Sequence, residues 1–179
     1  MAQITYDNKV NLDTNPDVPR INKVIDEDLN EIKKVVNENS LRSIITAYPG
    51  TSLQPTSGIT LFPLKNIRTQ SGDLNKLKLE SGKIKIGKGV NHIMVSAACT
   101  DSTNSQTGRA LYIYKNDSVI ARTLLNANTI IQPSLSIVNV LESVTENDLI
   151  SIRVGGNGIS YSGGKELTWL TVEVIDWKV

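Results

Sequence analysis

The sequence is poor in cysteine, histidine and aromatic residues, and each shortage excludes a class of protein. Its 179 residues include one cysteine, Cys99, so an intrachain disulfide is impossible, and we interpret Cys99 as a small buried residue in an apolar strand. The one histidine, His92, has no cysteine or carboxylate cluster near it in the sequence, which argues against the usual zinc spacings. The aromatic residues are one Phe, two Trp and five Tyr, so an aromatic-lined site must be built from few side chains.

The chain also lacks a charge imbalance and a long hydrophobic run. It carries 19 basic and 18 acidic residues, a formal net charge of +1, which gives no electrostatic reason to expect nucleic acid or an anionic membrane as a partner. No stretch approaches the ~20 apolar residues that a membrane helix needs. The first ten residues, MAQITYDNKV, lack the apolar segment of a signal peptide. We therefore expect no nucleic acid partner and no membrane insertion, and a protein assembled in the cytoplasm of a cell.

Changes in composition along the chain predict four segments. Residues 1–20 are polar and turn-rich and are expected to form an extended arm. Residues 21–39 have helical periodicity, with Pro19 placed to begin the helix. Residues 40–72, rich in Pro, Gly, Ser and Thr, are expected to form an ordered connector with short strands, and residues 73–179 a β-domain.

The helix carries an apolar seam. Its core positions are separated by four, three and four residues, which is the a/d spacing of about two heptads. They are Ile25, Leu29, Ile32 and Val36. Two heptads are too few to hold chains together unaided. The seam either packs on the β-domain of its own chain or forms a short oligomeric stalk, and the helix alone favours neither.

The β-domain shows period-two alternation with turn signals every ~8–12 residues, which is typical of a sandwich or barrel. About eight strands are expected, with no helix between them, so they must pair antiparallel. One hairpin is expected to turn at Asn116 and Asp117, with Tyr112 and Tyr114 sharing one face of its first strand. The predicted fold class is mainly β: an antiparallel jelly-roll sandwich preceded by a short helix.

No catalytic constellation is present in the sequence. The spacings of metalloproteases, redox dithiols, serine hydrolases and phosphate-binding loops do not occur. The glycine-rich segment GGNGISYSGG (155–164) lacks the Lys-Ser/Thr and the helix of a phosphate loop, and we interpret it as a tip loop. Asp101, Asp117 and Asp148 are interpreted as turn carboxylates, because calcium would need six to eight oxygens. We predict no enzyme, no cofactor and no metal.

Saccharide binding is the easier function to motivate, because an exposed aromatic ring can stack on a sugar while nearby polar groups bind its hydroxyls. The candidate ligand residues are Tyr161, Asn157, Tyr112 and Tyr114, with Tyr161 favoured because it lies in the glycine-rich loop. The competing interpretation places aromatic residues of the β-domain in its core or in a subunit interface. Trp169 and Trp177 fall on the same face of the last predicted strand, and Leu170, Val172 and Val174 fall on its opposite face. One of these two faces must pack against the core.

The β-domain resembles a known group of jelly rolls. GKIKIGKGVNHIMVSAAC (82–99), RALYIYKNDSVIAR (109–122), ESVTENDLISIRV (142–154) and LTWLTVEVI (167–175) resemble strands of the globular heads of complement subcomponents and tumour necrosis factor. Asp117 and Asn147 stand where those domains have glycine, and Asp148 is retained. The resemblance implies a threefold homotrimer, in which the seam residues of the helix would meet as a stalk.

The N-terminal 40 residues resemble structural proteins of tailed phages and prophages of Gram-positive bacteria, through MAQITYDNKV and INKVIDEDLNEIKKVVN. That resemblance implies a virion protein whose N-terminal arm binds other virion proteins while its C-terminal part projects. Together the two resemblances imply a homotrimeric appendage of the tail-fibre or receptor-binding type that binds a bacterial surface saccharide. The alternative is a structural head fibre or decoration protein without a ligand.

Overall fold

Two antiparallel sheets pack face to face in the computed structural model of the chain. The structure describes residues 32, 42–56, 58–103, 108–125 and 133–175. Of the expected stalk, Ile32 is helical and half-exposed, while Ile25, Leu29, Val36 and the arm at 1–20 lie outside the described residues. The described residues from Arg42 onward belong to one compact unit. Among the described residues no helix is long and apolar enough to span a membrane.

Eleven strands are present in the described residues. They are β1 (Ile44–Tyr48), β2 (Ile59–Leu61), β3 (Asn66–Ser71), β4 (Leu77–Glu80), β5 (Lys83–Ile86), β6 (His92–Thr100), β7 (Arg109–Lys115), β8 (Ser118–Leu125), β9 (Ser134–Ser143), β10 (Leu149–Gly155) and β11 (Trp169–Val174). One sheet has the order β3-β1-β11-β6-β9, and the other has β4-β5-β10-β7-β8, with β2 pairing with β10 beyond the end of β5. The predicted class, an antiparallel jelly-roll sandwich, is confirmed.

The core lies between the sheets because alternate residues of each strand point inward. The inward set is almost wholly aliphatic and reaches zero exposure on the central strands of both sheets. Its central members are Ile45, Ile84, Ile93, Val95, Leu111, Ile113, Ile150, Ile152, Leu170 and Val172. The period-two alternation of the sequence therefore becomes a closed apolar layer.

The first three strands lie within residues 40–72, the segment predicted to be an ordered connector with short strands. β1 pairs with β11 on one side and β3 on the other, so it is an interior strand of the five-stranded sheet. Ile45 and Ala47 on β1 are fully buried. Strand pairing therefore begins near Ile44, about thirty residues before the expected start of the β-domain.

Two asparagines shape the turns beside β10. Asn116, in the β7–β8 hairpin, has φ 54°, and Asn147, before β10, has φ 73°. Asparagine is among the few non-glycine residues that tolerate this left-handed region. Asn147 therefore adopts a conformation that otherwise favours glycine, and the hairpin turns where it was predicted.

A buried polar cluster closes one end of the sandwich. The Arg109 guanidinium donates from Nε to Asp101, and neither side chain has exposed surface. The same carboxylate accepts a hydrogen bond from the Thr103 backbone at 2.6 Å. Cys99 is fully buried nearby, as expected, and burial raises the pKa of its thiol to about 12, against the opposing effect of a hydrogen bond from Thr168. Cys99 is accordingly an unreactive packing residue.

Candidate ligand-binding site

Tyr112 and Tyr114 lie side by side on the outer face of the six-stranded sheet. Leu111 and Ile113 of the same strand point into the core, so the two tyrosines face outward together, as the alternation predicts. Their ring centroids are 6.3 Å apart with an interplanar angle of 58°. This spacing and tilt lie in the favourable range for aromatic pairs.

Strand β10 places an arginine against this pair. Arg153 is directly opposite Tyr112 in the register of β7 and β10. Its guanidinium carbon lies 3.9 Å from the centroid of the Tyr114 ring, which is a cation–π contact. We call Tyr112, Tyr114 and Arg153 the aromatic patch.

The β7–β8 turn fixes the arginine. Its Nη2 donates to the backbone oxygen of Asn116 at 3.3 Å and to the Asp117 carboxylate at 3.0 Å. The Asp117 side chain is 95% exposed, so this ion pair is open to competition from solvent or ligand.

Asp148 stabilises the β7–β8 turn. Its carboxylate accepts hydrogen bonds from the Thr145 backbone at 2.9 Å and from the Asn116 side chain at 2.8 Å. Burial acts to raise the pKa of Asp148, but the hydrogen bonds from Thr145 and Asn116 and the charge of Lys115 outweigh it, so the pKa is below its ordinary value. Asp148 is therefore ionised at neutral pH and braces the turn that holds Arg153.

The three members of the patch differ in accessibility. Tyr114 is buried beneath the guanidinium, so it supports Arg153 and offers little surface of its own. Tyr112 is partly exposed and lies beside Gly155, where a side chain would come within 3.6 Å of its ring. The surface available to a ligand is therefore the Tyr112 ring, the guanidinium edge and the Asp117 carboxylate.

Two polar atoms at this site have no hydrogen-bond partner. They are Oγ of Ser151, which is directly opposite Tyr114, and Nε of Arg153. Buried polar atoms in proteins are nearly always paired. Among the buried side chains of the described residues, the two unpaired atoms therefore lie in the aromatic patch and directly beside it.

The other two candidate residues differ from each other in exposure. Tyr161 has no exposed surface: it packs in the core, and its hydroxyl donates to the backbone oxygen of Gly155. It forms isolated bridges with Leu53 and Asp101, so the glycine-rich loop folds inward here. Tyr161 is therefore a buried core residue and not the surface ligand contact that was predicted. Asn157 is exposed, in the turn that follows β10.

Sequence reasoning did not single out Arg153. The available signal was its position between Ile152 and Val154, which shows that it points away from the core. What the sequence did not reveal was that β10 pairs with β7, which brings the arginine to the tyrosines.

The outer face of the five-stranded sheet has a different character. Its outward positions on β1, β11 and β6 carry one formal charge, Glu173, which is paired with Arg42 at 2.9 Å. The rest are apolar, small or hydroxyl-bearing: Ile44, Thr46, Tyr48, Met94, Ser96, Ala98, Thr100, Trp169 and Thr171, with His92 at the edge. On the neighbouring strand β9, Val138 and Leu141 are each 66% exposed. We call this surface the charge-poor face.

No metal centre is found in the part of the chain that the structure describes, where no three His, Cys, Asp or Glu side chains are grouped to hold an ion. Asp101 contacts Arg109, and Asp117 contacts Arg153. Asp148 accepts hydrogen bonds from Thr145, which precedes β10, and from Asn116 in the β7–β8 turn.

Comparison with solved structures places this arrangement among known folds. Murine APRIL matches with a TM-score of 0.58 at 11% identity, covering 75% of this chain and 99% of its own. The vertex protein P5 of PRD1 matches with a TM-score of 0.54 at 12% identity, covering 76% and 97%. Eiger TNF from S. frugiperda matches with a TM-score of 0.54 at 7% identity, covering 77% and 94%.

The chain has a tumour-necrosis-factor-like jelly-roll fold. The matched proteins are spanned almost completely, so the likeness covers the whole sandwich. No protein-family model and no curated protein matches the sequence.

Proposed function

We propose that this protein is a non-enzymatic, homotrimeric virion appendage that attaches to a phage particle through its N-terminus and binds a bacterial surface saccharide through its jelly roll. The observation that carries the proposal is the contrast between the two outer faces of one sandwich. One face is depleted of charge, and the other bears the aromatic patch.

The charge-poor face supports self-association. Charged residues are depleted at the centres of protein interfaces, while Trp, Tyr and Met are enriched there. Trp169, Tyr48 and Met94 lie on this face, and one carboxylate with its arginine is the charge to be accommodated. The resemblance to tumour necrosis factor implies a threefold arrangement, in which this face is covered by neighbouring copies.

A place on a virion is supported by two observations. The N-terminal 40 residues resemble phage structural proteins of Gram-positive hosts, and the jelly roll shares its fold with a vertex protein of PRD1. In the proposal, residues 1–20 attach to other virion proteins, the helix at 21–39 forms the stalk, and the particle is assembled in the host cytoplasm.

The aromatic patch supports saccharide recognition. Tyr112 offers a ring for stacking, while Arg153 and Asp117 offer a donor and an acceptor 3.0 Å apart for neighbouring hydroxyls. These groups come from rigid strands and a braced turn, which holds them in place before a ligand arrives.

The test is binding of labelled full-length protein to intact Gram-positive cells and to isolated walls. Tyr112→Ala is expected to weaken binding at least about fivefold, since stacking on an aromatic ring is worth roughly 1–3 kcal/mol. Leu74→Ala, at an apolar side chain 57% exposed in the turn before β4, is the matched control and is expected to bind as the unmodified protein does.

The second candidate, a structural head fibre or decoration protein, is favoured by the shared fold with the PRD1 vertex protein. It predicts that the trimer binds particles but neither cells nor walls. Antibody labelling of particles then distinguishes head from tail placement.

A further inference from the structure

The six-stranded sheet concentrates positive charge on its outer face although the whole chain is almost neutral. The outward positions of β4, β5, β10 and β8 carry five cationic side chains and one carboxylate, Glu80. The cationic residues are Lys78, Lys83, Lys85, Arg122 and Arg153, which we call the basic face.

Strand register arranges these charges in rows. Lys78 lies directly opposite Lys85 on the neighbouring strand, and like charges placed so are unfavourable on their own. Arg153, Tyr112 and Arg122 lie across three adjacent strands, so a cation stands on either side of the tyrosine. Neighbouring strands are ~4.8 Å apart, so cations within a row lie within about one Debye length of each other and their fields add.

Internal compensation is slight. Lys85 meets Glu80 at 3.4 Å, and Arg153 meets Asp117 at 3.0 Å, where the carboxylate side chains are 52% and 95% exposed. Exposed pairs of this kind contribute little, so an incoming anion can replace either carboxylate. Two buried polar atoms lie beneath this face without hydrogen-bond partners: Oγ of Ser151, opposite Tyr114, and Nε of Arg153, opposite Tyr112.

We propose that the basic face binds a polyanionic polymer of the bacterial surface, with anionic groups on a sugar or polyol chain that stacks on Tyr112. This rests on the proposed function and narrows its ligand from saccharides in general to anionic ones. Anionic groups of the polymer engage the lysines and arginines, and its carbon skeleton contacts the aromatic ring. The net charge of +1 does not indicate an anionic ligand, because the carboxylates that balance these cations lie elsewhere on the chain.

The experiment measures binding of the full-length protein to four probes: poly(glycerol phosphate), hyaluronate, neutral dextran and duplex DNA. The face variant is Lys83→Gln/Lys85→Gln/Arg122→Gln. The matched control, Lys65→Gln/Lys88→Gln/Lys165→Gln, removes the same charge from exposed positions outside this face. Circular dichroism and solution mass establish that both variants fold and assemble.

The proposal expects binding to poly(glycerol phosphate), hyaluronate or both, weakening steeply with salt. The face variant loses at least about tenfold and the control less than about twofold. Binding to only one of the two identifies the anionic group as phosphodiester or carboxylate.

Three results would overturn it: equal binding to dextran, equal losses in both triple variants, or equally tight binding to DNA, which indicates an unselective polyanion surface. If cells are bound without salt dependence and without effect of the face variant, the adhesin function stands and the anionic ligand fails. If cells and walls are not bound at all, the proposed function itself fails.

Discussion

At the scale of single residues, Asp101 and Asp148 each organise local structure through several side-chain contacts. Asp101 and Asp148 illustrate two environments for the same side chain. One is fully buried and paired with Arg109, and the other is partly exposed and braces a turn. The two predict different responses to mutation and to acid.

Removal of the buried Asp101 carboxylate is expected to lower the stability of the fold strongly. Asp101→Asn leaves the Arg109 guanidinium buried without its counter-charge, which typically costs about 3–5 kcal/mol of the free energy of unfolding. Urea denaturation measures this loss. Combining it with Arg109→Met is expected to cost clearly less than the sum of the single changes, because each removes the partner of the other. Additive losses would show that the pair is not coupled.

Asp148 predicts a pH-dependent contribution to stability. Its pKa is lowered on folding, so its contribution is complete above its unfolded pKa of about 3.9 and is lost as pH falls through the folded value. Asp148→Asn is expected to lower the melting temperature at pH 7. The loss in free energy of unfolding is expected to be less than about 1 kcal/mol, because the group is partly exposed. The difference from the unmodified protein shrinks in acid. A difference that stays constant from pH 7 to pH 2 contradicts this assignment.

At the scale of elements, strands were predictable where alternation is long and turn residues are distinctive. β7 and β8 meet at Asn116 and Asp117 as expected, since apolar–polar alternation and a turn dipeptide are local signals. A short strand was expected in the segment that contains β1, but its interior position in the sheet was not. That position depends on pairing with β11, more than 120 positions away in the chain.

The candidate site divides in the same way. The common face of Tyr112 and Tyr114 follows from residue parity alone, whereas the contact with Arg153 depends on a long-range strand pairing. Tyr161 was misplaced because a glycine-rich loop usually lies on the surface. Here the loop crosses the end of the sandwich and delivers Ile159 and Tyr161 to the core.

That loop contains a close backbone contact that offers a prediction at this scale. A β-carbon at Gly163 would lie 2.1 Å from the carbonyl oxygen of Thr51, so the backbone would have to move. Gly163→Ala is expected to destabilise the fold by about 3 kcal/mol, at the upper end of overpacking costs. Gly164→Ala is the adjacent control, because its β-carbon would meet nothing closer than Leu167 Cδ1 at 3.7 Å. Equal melting temperatures for the two variants would refute the contact.

At the scale of the whole molecule, the sandwich assigns different work to its two outer surfaces. The charge-poor face suits contact with other copies, and the opposite face presents Tyr112, the edge of the Arg153 guanidinium and the lysines around them. The difference between the two faces follows from strand alternation. Because the aliphatic side chains point inward, the polar, charged and aromatic residues between them determine the composition of each outer face. In the proposed trimer, the β-domains supply the association that two heptads of the predicted helix cannot supply alone.

The measurement that tests this account most directly is the mass of the full-length protein in solution, determined by light scattering after gel filtration. The chain is 19.6 kDa, and the account predicts a particle of three times that mass. A monomeric mass would leave the charge-poor face uncovered and the helix without partners, and would contradict the trimeric appendage.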